Sequence, residues 1–227
     1  ETIFVWPEGI FAGVYLEDLK RFSYLFKENF SEKHLIIFGS NTLNRDNNEF
    51  FNSFLVINNN FEIIFKYNKT KLVPFGEFLP FEKFLEQVGL KKITFGYGSF
   101  SKGYYKNNFN YKNLSLFPVI CYEIIFNELF KKRDSNTNLI VNISEDAWFG
   151  RSIGPYQHFS KAIFRAIENN TYLVRSANQG ISAIINNNGQ VIKKLNPNEA
   201  GNITMDVPLL TTGYKNKYDL VFFILLI

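Results

Sequence analysis

The chain has 227 residues, a mass of 26.5 kDa and a formal net charge of +4, from 25 Lys+Arg against 21 Asp+Glu. Its single cysteine excludes a disulfide scaffold and any cysteine-cluster zinc or iron–sulfur site, and His34 and His158 show no ligand spacing, so no metal is expected. Apolar content of 46 % excludes disorder over most of the chain, and without a basic stripe interleaved with aromatics nucleic acid is not an expected partner.

Apolar runs alternate with helical patterns. Ile3–Trp6 predicts a short buried strand. Tyr15, Leu16, Leu19, Phe22, Leu25 and Phe26 mark an amphipathic helix. Leu35–Phe38 predicts a strand closed by Gly39. Phe54–Ile57 and Phe61–Phe65 flank three asparagines and predict a hairpin. Residues 68–80, with Pro74, Gly76 and Pro80, read as irregular. Phe81, Phe84, Leu85 and Val88 offer one helical face, and 95–105 is a long glycine-containing connection.

Leu114–Ile120 predicts a strand ending at Cys121, and Leu139–Ile143 a strand followed by a loop at 144–155. Pro155 suits the first turn of a helix, along which Phe159, Ala162, Ile163, Ala166 and Ile167 form an apolar stripe. Tyr172–Arg175 and Ile181–Ile185 predict strands. The second turns back through Asn186–Gly189 into Gln190–Lys193, and Ile203–Val207 predicts the last strand. The chain closes on eight apolar residues, 220–227. A bilayer-spanning helix needs about 20 such residues, so the run reads as a core element or as the start of a transmembrane helix. The alternation suggests an α/β layered domain with a mixed sheet.

Three residues stand out for chemistry. Cys121 lies at a strand end, where a side chain can reach a substrate and the following amides can face the same point. A buried structural thiol is the alternative. Glu8 also follows a strand, where it is either a functional acid or a helix-starting one. Lys69 is either functional or a solvated lysine at a hairpin end. Together they are the minimum set for thiol acyl transfer without histidine. A carboxylate with a raised pKa takes the thiol proton, and an ammonium with a backbone amide stabilises the oxyanion. Such a set needs no cofactor.

The segments Val5-Trp-Pro-Glu8, Tyr67-Asn-Lys-Thr-Lys-Leu-Val-Pro-Phe-Gly-Glu77, Ile120-Cys-Tyr-Glu123 and Asn142-Ile-Ser-Glu-Asp-Ala-Trp-Phe-Gly150 occur in this order. Gly154-Pro-Tyr-Gln-His158, Arg165-Ala-Ile-Glu168 and Arg175-Ser-Ala-Asn-Gln-Gly-Ile-Ser-Ala183 follow. The set resembles the nitrilase-like domain of the apolipoprotein N-acyltransferase family, a branch of the carbon–nitrogen hydrolase superfamily.

The resemblance implies a four-layer α-β-β-α sandwich. It implies Glu8 as general base, Lys69 as oxyanion-stabilising lysine and Cys121 as nucleophile, with Glu77 and Glu123 in support. Tyr122, Trp148 and Phe149 are candidate substrate-binding residues, with a core role as the alternative for Trp148 and Phe149. Residues 81–111 are a candidate lid. The implied donor is a phospholipid, the acceptor a diacylated lipoprotein, and the location the bacterial inner membrane with this domain facing the periplasm. Residues 1–219 would then be the acyltransferase domain without its first strand, and 220–227 the start of a transmembrane helix.

Lys71 stands where the family often has His, and Glu145 where it often has Asn. Neither is expected to touch the three central residues. His158 reads as a structural histidine without a carboxylate partner, and Arg165 with Glu168 as a surface ion pair. Asn178 and Gly180 either shape a turn near the site or end a strand. The competing readings are a soluble amidase of the same superfamily and a non-catalytic lipid- or lipoprotein-binding module.

Overall fold

The computed structural model describes residues 1–11, 13, 14, 16–80, 99–104 and 108–210. Among the described residues ten strands form two sheets. The first has the order β1-β2-β3-β4, with β1 at Thr2–Val5, β2 at His34–Asn44, β3 at Glu49–Ile57 and β4 at Ile63–Asn68. β1 runs parallel to β2, and the other neighbours are antiparallel. The second has the order β10-β9-β8-β7-β6-β5. Its strands are β5 at Phe109–Tyr111, β6 at Leu114–Ile120, β7 at Leu139–Glu145, β8 at Tyr172–Asn178, β9 at Ser182–Ile185 and β10 at Val191–Leu195. β6, β7 and β8 are parallel.

The period-2 alternation of side chains divides the apolar residues into three layers of core. Leu35 and Ile37 of β2, Phe54 and Val56 of β3, Leu116 and Ile120 of β6, and Val141 and Ile143 of β7 meet between the sheets. Their neighbours Ile36, Phe38, Leu55 and Ile57 face outward, against α1 (Leu16–Leu19) and α2 (Ser23–Asn29) through Leu16, Leu19 and Phe26. On the other side Phe117, Val119 and Ile140 pack against α3 (Asn127–Phe130) and α4 (Gly154–Glu168) through Phe130, Phe159, Ala162 and Ala166. Each such fully buried large side chain contributes about 1.5–3 kcal/mol relative to exposure. The result is the expected α-β-β-α sandwich.

Several boundaries differ from expectation. β2 does not stop at Gly39 but continues to Asn44, because Ser40 and Thr42 are buried and Thr42 pairs with Ser53 of β3 at 2.8 Å. The helix expected from 15 to 26 is split by a 3-10 turn at Lys20–Phe22. Residues Ile203–Val207 form no strand: Ile203, Met205 and Val207 are half-buried, Val207 against the core between the sheets, but the segment has no ladder partner among the described residues. The helical face expected at Phe81–Val88, most of the candidate lid at 81–111 and the terminal run 220–227 lie outside the described residues. Among the described residues no helix is long and apolar enough to cross a membrane.

Candidate active site

Three strand ends deliver the three central residues. Glu8 follows β1, and the pairing is carried past that strand by Trp6, whose N–H donates to Ile37 O at 2.8 Å. A Cβ on Gly39 would lie 2.9 Å from Glu8 Cα, so a glycine in β2 lets the Glu8 backbone lie against the strand. Lys69 follows β4, its N–H donating to Asn52 O at 2.8 Å. Cys121 follows β6 and opens a 3-10 turn, Cys121–Ile125. Its φ is +48°, in the left-handed region that non-glycine residues seldom adopt.

The structure brings all three together in a buried cluster, with Lys69 only 1 % exposed, Glu8 8 % and Cys121 9 %. The Glu8 carboxylate and the Cys121 thiol lie close enough to influence one another's protonation. Lys69 Nζ donates to Glu77 Oε1 at 2.8 Å and stands 3.8 Å from Glu8 Oε1. Asn52 Nδ2 bridges the two acids, donating to Glu8 Oε1 at 2.6 Å and to Glu77 Oε1 at 2.8 Å. The other oxygen of Glu8 accepts the Glu145 backbone N–H at 3.0 Å, and that of Glu77 accepts the Val73 N–H at 2.8 Å. So Glu145, expected to lie near the centre without touching it, does touch it through its main chain.

Electrostatics fit a proton relay. Burial pushes Glu8 above the ordinary carboxylate range; the Lys69 charge pulls it back and Glu77 pushes it up again. Burial pushes the Cys121 thiol up to about 12, with Glu8 adding to the rise and Lys69 opposing it. Burial also works against charge on Lys69, yet Glu8 and Glu77 outweigh it and hold the ammonium above its usual range. At neutral pH these influences keep the Cys121 thiol protonated.

Glu123 occupies a separate, fully buried pocket. Its Oε1 accepts from Tyr67 Oη at 2.7 Å, Thr70 N–H at 2.7 Å, Thr70 Oγ1 at 3.0 Å and Lys71 N–H at 3.1 Å. Oε2 accepts from Ile120 N–H at 3.0 Å. Burial raises its pKa while these donors lower it. Glu123 thus ties the end of β6, just before Cys121, to the segment after Lys69. Lys71 enters this arrangement through its backbone, and its side chain pairs with Glu128 at 2.9 Å.

Beneath Cys121 lies a buried cluster that the sequence reading missed. Arg175 Nη2 donates to Asp146 Oδ2 at 2.7 Å and Oδ1 at 3.0 Å, and Ser144 Oγ donates to Oδ1 at 2.7 Å. His158 Nδ1 is 2.9 Å from Asp146 Oδ1 and 3.1 Å from Arg175 Nη2, while Nε2 is 3.2 Å from the Cys121 carbonyl oxygen. Burial disfavours charge on Asp146, but His158 and Arg175 outweigh it and hold its carboxyl well below the usual range. His158 therefore has the carboxylate neighbour that was not expected. Asn178 donates to Glu145 Oε2 at 2.8 Å, and a Cβ on Gly180 would lie 2.1 Å from Asp146 Oδ2, so both border this cluster.

The remaining candidates are more scattered. Tyr122 is half-buried and packs edge-on against Phe126. Phe149 is half-buried against His158. Trp148 is 62 % exposed, which removes the core alternative for it. Arg165 is buried over the Phe130 ring and paired with Glu168, so this is not a surface ion pair. A cleft of about 370 Å³ is lined by Thr70, Lys71, Leu72, Phe78, Phe100 and Lys102. It lies along the segment after Lys69, and Cys121 is not in its wall. Among the described residues no group of three His, Cys, Asp or Glu could hold a metal.

Asn52 was the other omission. The available signal was a polar pair, Asn52-Ser53, interrupting the apolar run Phe50–Ile57. For Asp146, Ser144 and Arg175 the sequence carries no comparable signal, because apart from the Ser144–Asp146 pair the members of the cluster stand 12, 17 and 29 residues apart.

The carbon-nitrogen hydrolase family matches residues 14–215. A protein of Rhizobium etli named apolipoprotein N-acyltransferase is 39 % identical over 170 residues, which is 74 % of this chain and 32 % of that protein. Proteins of the same name from Rhizobium leguminosarum bv. trifolii and Rickettsia typhi are 42 % and 38 % identical, over 70 % and 72 % of the chain. The chain spans about a third of the length of these relatives. Among solved structures, an amidase from Nesterenkonia sp. superposes with a TM-score of 0.59 at 14 % identity, covering 87 % of this chain and 74 % of the amidase. A branch 10 member of the nitrilase superfamily from Saccharomyces cerevisiae gives 0.61 at 17 %, covering 88 % of this chain and 74 % of its own. At these identities the structures speak for the fold.

Proposed function

The chain belongs to the carbon–nitrogen hydrolase family, and we propose that it is the acyl-transferring domain of an apolipoprotein N-acyltransferase. The observation that carries this reading is the convergence of Glu8, Lys69 and Cys121 in one buried cluster. The acyl donor is a phospholipid and the acceptor is the free α-amine of a diacylglyceryl-cysteine lipoprotein. The protein works at the bacterial inner membrane with this domain on the periplasmic side.

In the first half-reaction the Cys121 thiol gives its proton to Glu8 as sulfur bonds to the ester carbonyl carbon. The electron pair moves onto the carbonyl oxygen, where the Lys69 ammonium and the Tyr122 backbone N–H receive it. Collapse breaks the carbon–oxygen bond, and the departing lysophospholipid alkoxide takes the proton back from Glu8. A thioester remains. In the second half-reaction the amine attacks the thioester, Glu8 accepts an amine proton, and the carbon–sulfur bond breaks. That proton returns to the thiolate. Splitting the transfer replaces one difficult step by two easier ones.

Glu77 and Asn52 hold Lys69 and Glu8 apart and oriented. Glu123 anchors the strand end before the nucleophile. Trp148 and Phe149 contribute to substrate binding at the rim. The names of the relatives favour transfer to an amine over the amidase alternative, in which water is the acceptor.

The test is acyl-enzyme formation from a phospholipid labelled in its acyl chain. Label should attach to the wild-type protein and be absent from Cys121→Ala. Label on the Ala variant would overturn the thioester route.

A further inference from the structure

We propose that His158 is a positioning residue for the oxyanion site: its Nε2–H donates to the Cys121 carbonyl and thereby aims and polarises the Tyr122 backbone N–H. The inference rests on the acyl-transfer reading above and adds to it a residue that touches neither substrate nor thiol.

The geometry is as follows. His158 Nε2 lies 3.2 Å from Cys121 O, a group that can only accept. A bare ring nitrogen there would set lone pair against lone pair in a buried site, so Nε2 carries the proton. The other ring nitrogen, Nδ1, lies between an acceptor, Asp146 Oδ1 at 2.9 Å, and a donor, Arg175 Nη2 at 3.1 Å, so a ring with its proton on Nε2 is neutral when Nδ1 accepts from Arg175 and an imidazolium when Nδ1 donates to Asp146. That guanidinium nitrogen also holds Asp146, at 2.7 and 3.0 Å. Arg175 and Asp146 thus hold the imidazole from one side while its Nε2 faces the Cys121 carbonyl.

The Cys121 carbonyl and the Tyr122 N–H belong to one peptide group. That group is planar and trans, so the two point in opposite directions. With the oxygen fixed on the buried cluster, the N–H is aimed away from it. Tyr122 N–H is also among the first amides of the 3-10 turn, which have no partner inside it. A hydrogen bond accepted at one end of a peptide strengthens donation at the other. The arrangement further holds Cys121 at its φ of +48°, which an unrestrained chain would leave.

Two substitutions separate this role from simple support. In His158→Gln the side-chain amide nitrogen reaches the place of Nε2; in His158→Asn it reaches only that of Nδ1. The intact protein would be mixed with a p-nitrophenyl acyl ester, and the burst of p-nitrophenolate read alongside alkylation of Cys121 by iodoacetamide. Alkylation develops no oxyanion, so it reports the thiol and Glu8 but not the amide.

His158→Asn is expected to slow the burst about tenfold, less than the ~100- to 1000-fold typical of losing an oxyanion donor outright. Its alkylation rate should be unchanged, and His158→Gln should recover most of the burst. A wild-type burst in His158→Asn overturns the proposal. So does a parallel fall in burst and alkylation, which would mean that the histidine merely supports the turn. Should the Asn variant fail to fold, 15N spectra of the wild-type imidazole decide the matter, since a proton found on Nδ1 alone is incompatible with it. A wild-type protein with no Cys121-dependent burst overturns the acyl-transfer reading itself, and this inference with it.

Discussion

Lys69 is bonded to Glu77 at 2.8 Å and stands off from Glu8 at 3.8 Å. The spacing matters because the proposed mechanism gives the two acids different tasks. An ammonium seated on Glu8 would neutralise the base. Seated on Glu77, it remains close enough to stabilise a developing oxyanion, while Glu8 keeps its basicity. Asn52, donating to both acids, fixes the division.

Replacing Glu77 by Gln should therefore harm the reaction although Glu77 never meets the thiol. Lys69 would lose its stronger partner and settle on Glu8. Thioester formation in Glu77→Gln is expected to fall by about 10- to 100-fold, short of the ~100- to 1000-fold expected for Lys69→Met, where an oxyanion donor is gone. Single-turnover labelling from phospholipid measures both. An unimpaired Glu77→Gln protein would show that Lys69 needs no such anchor.

The acid limb of the rate follows from Glu8. Burial places its pKa above the ordinary value of 4.5. As pH falls through that raised value the carboxylate takes up a proton and can no longer accept the thiol's, so thioester formation declines. The decline should begin at higher pH than a surface carboxylate would give, and it should be absent from the residual rate of Glu8→Gln. A pH profile of single-turnover acylation reads this directly.

The free thiol should be sluggish toward iodoacetamide at neutral pH, because burial and Glu8 push its pKa up to about 12. The alkylation rate is expected to climb steadily toward that pH. Rapid alkylation at pH 7 would mean that the thiolate is already formed in the resting protein.

Asp146 carries a stability prediction. Its pKa is held below the unfolded value of 3.8, so its contribution is fully present above that value and is lost as pH falls through the folded pKa. In Asp146→Asn the buried Arg175 guanidinium keeps its charge without a counter-ion. Removing one partner of a buried pair costs about 3–5 kcal/mol. Denaturant unfolding at neutral pH should show a loss of this order, and the variant should show less of the acid destabilisation seen in the wild type.

Gly39→Ala tests the approach of β2 to the base. The new methyl would meet the Glu8 backbone at 2.9 Å, which a flexible side chain could not relieve. Displacing Glu8 by a fraction of an ångström should slow acylation about tenfold or more. Thermal melting alongside the kinetics separates displacement from unfolding.

The sequence was most legible where apolar residues run without interruption. β6 at Leu114–Ile120 matches its expected bounds because every residue in it is buried. Legibility failed where polar side chains are buried. Ser40, Thr42 and Asn52 look like solvated residues until the partner strand is known, so β2 seemed to end at Gly39. The glycine marks a close approach of backbones, not a stop. Glu8, Lys69 and Cys121 could be named because each sits at a strand end within a recognisable segment. Asp146, His158 and Arg175 could not be joined, since nothing local links residues from a loop, a helix and a strand. Arg165 misled for the same reason: its spacing from Glu168 describes a helix surface, whereas the Phe130 ring covers it.

The reactive centre sits on the seam between the two sheets. Glu8 and Lys69 leave the first sheet; Cys121 and the Glu145 amide that holds Glu8 leave the second. Divide the polypeptide into one fragment ending at residue 80 and another starting at 99, and the base and ammonium go to one piece, the sulfur to the other. On the proposed mechanism neither piece transfers an acyl group by itself. Recovered turnover on mixing would then be a direct gauge of how completely the halves had found each other.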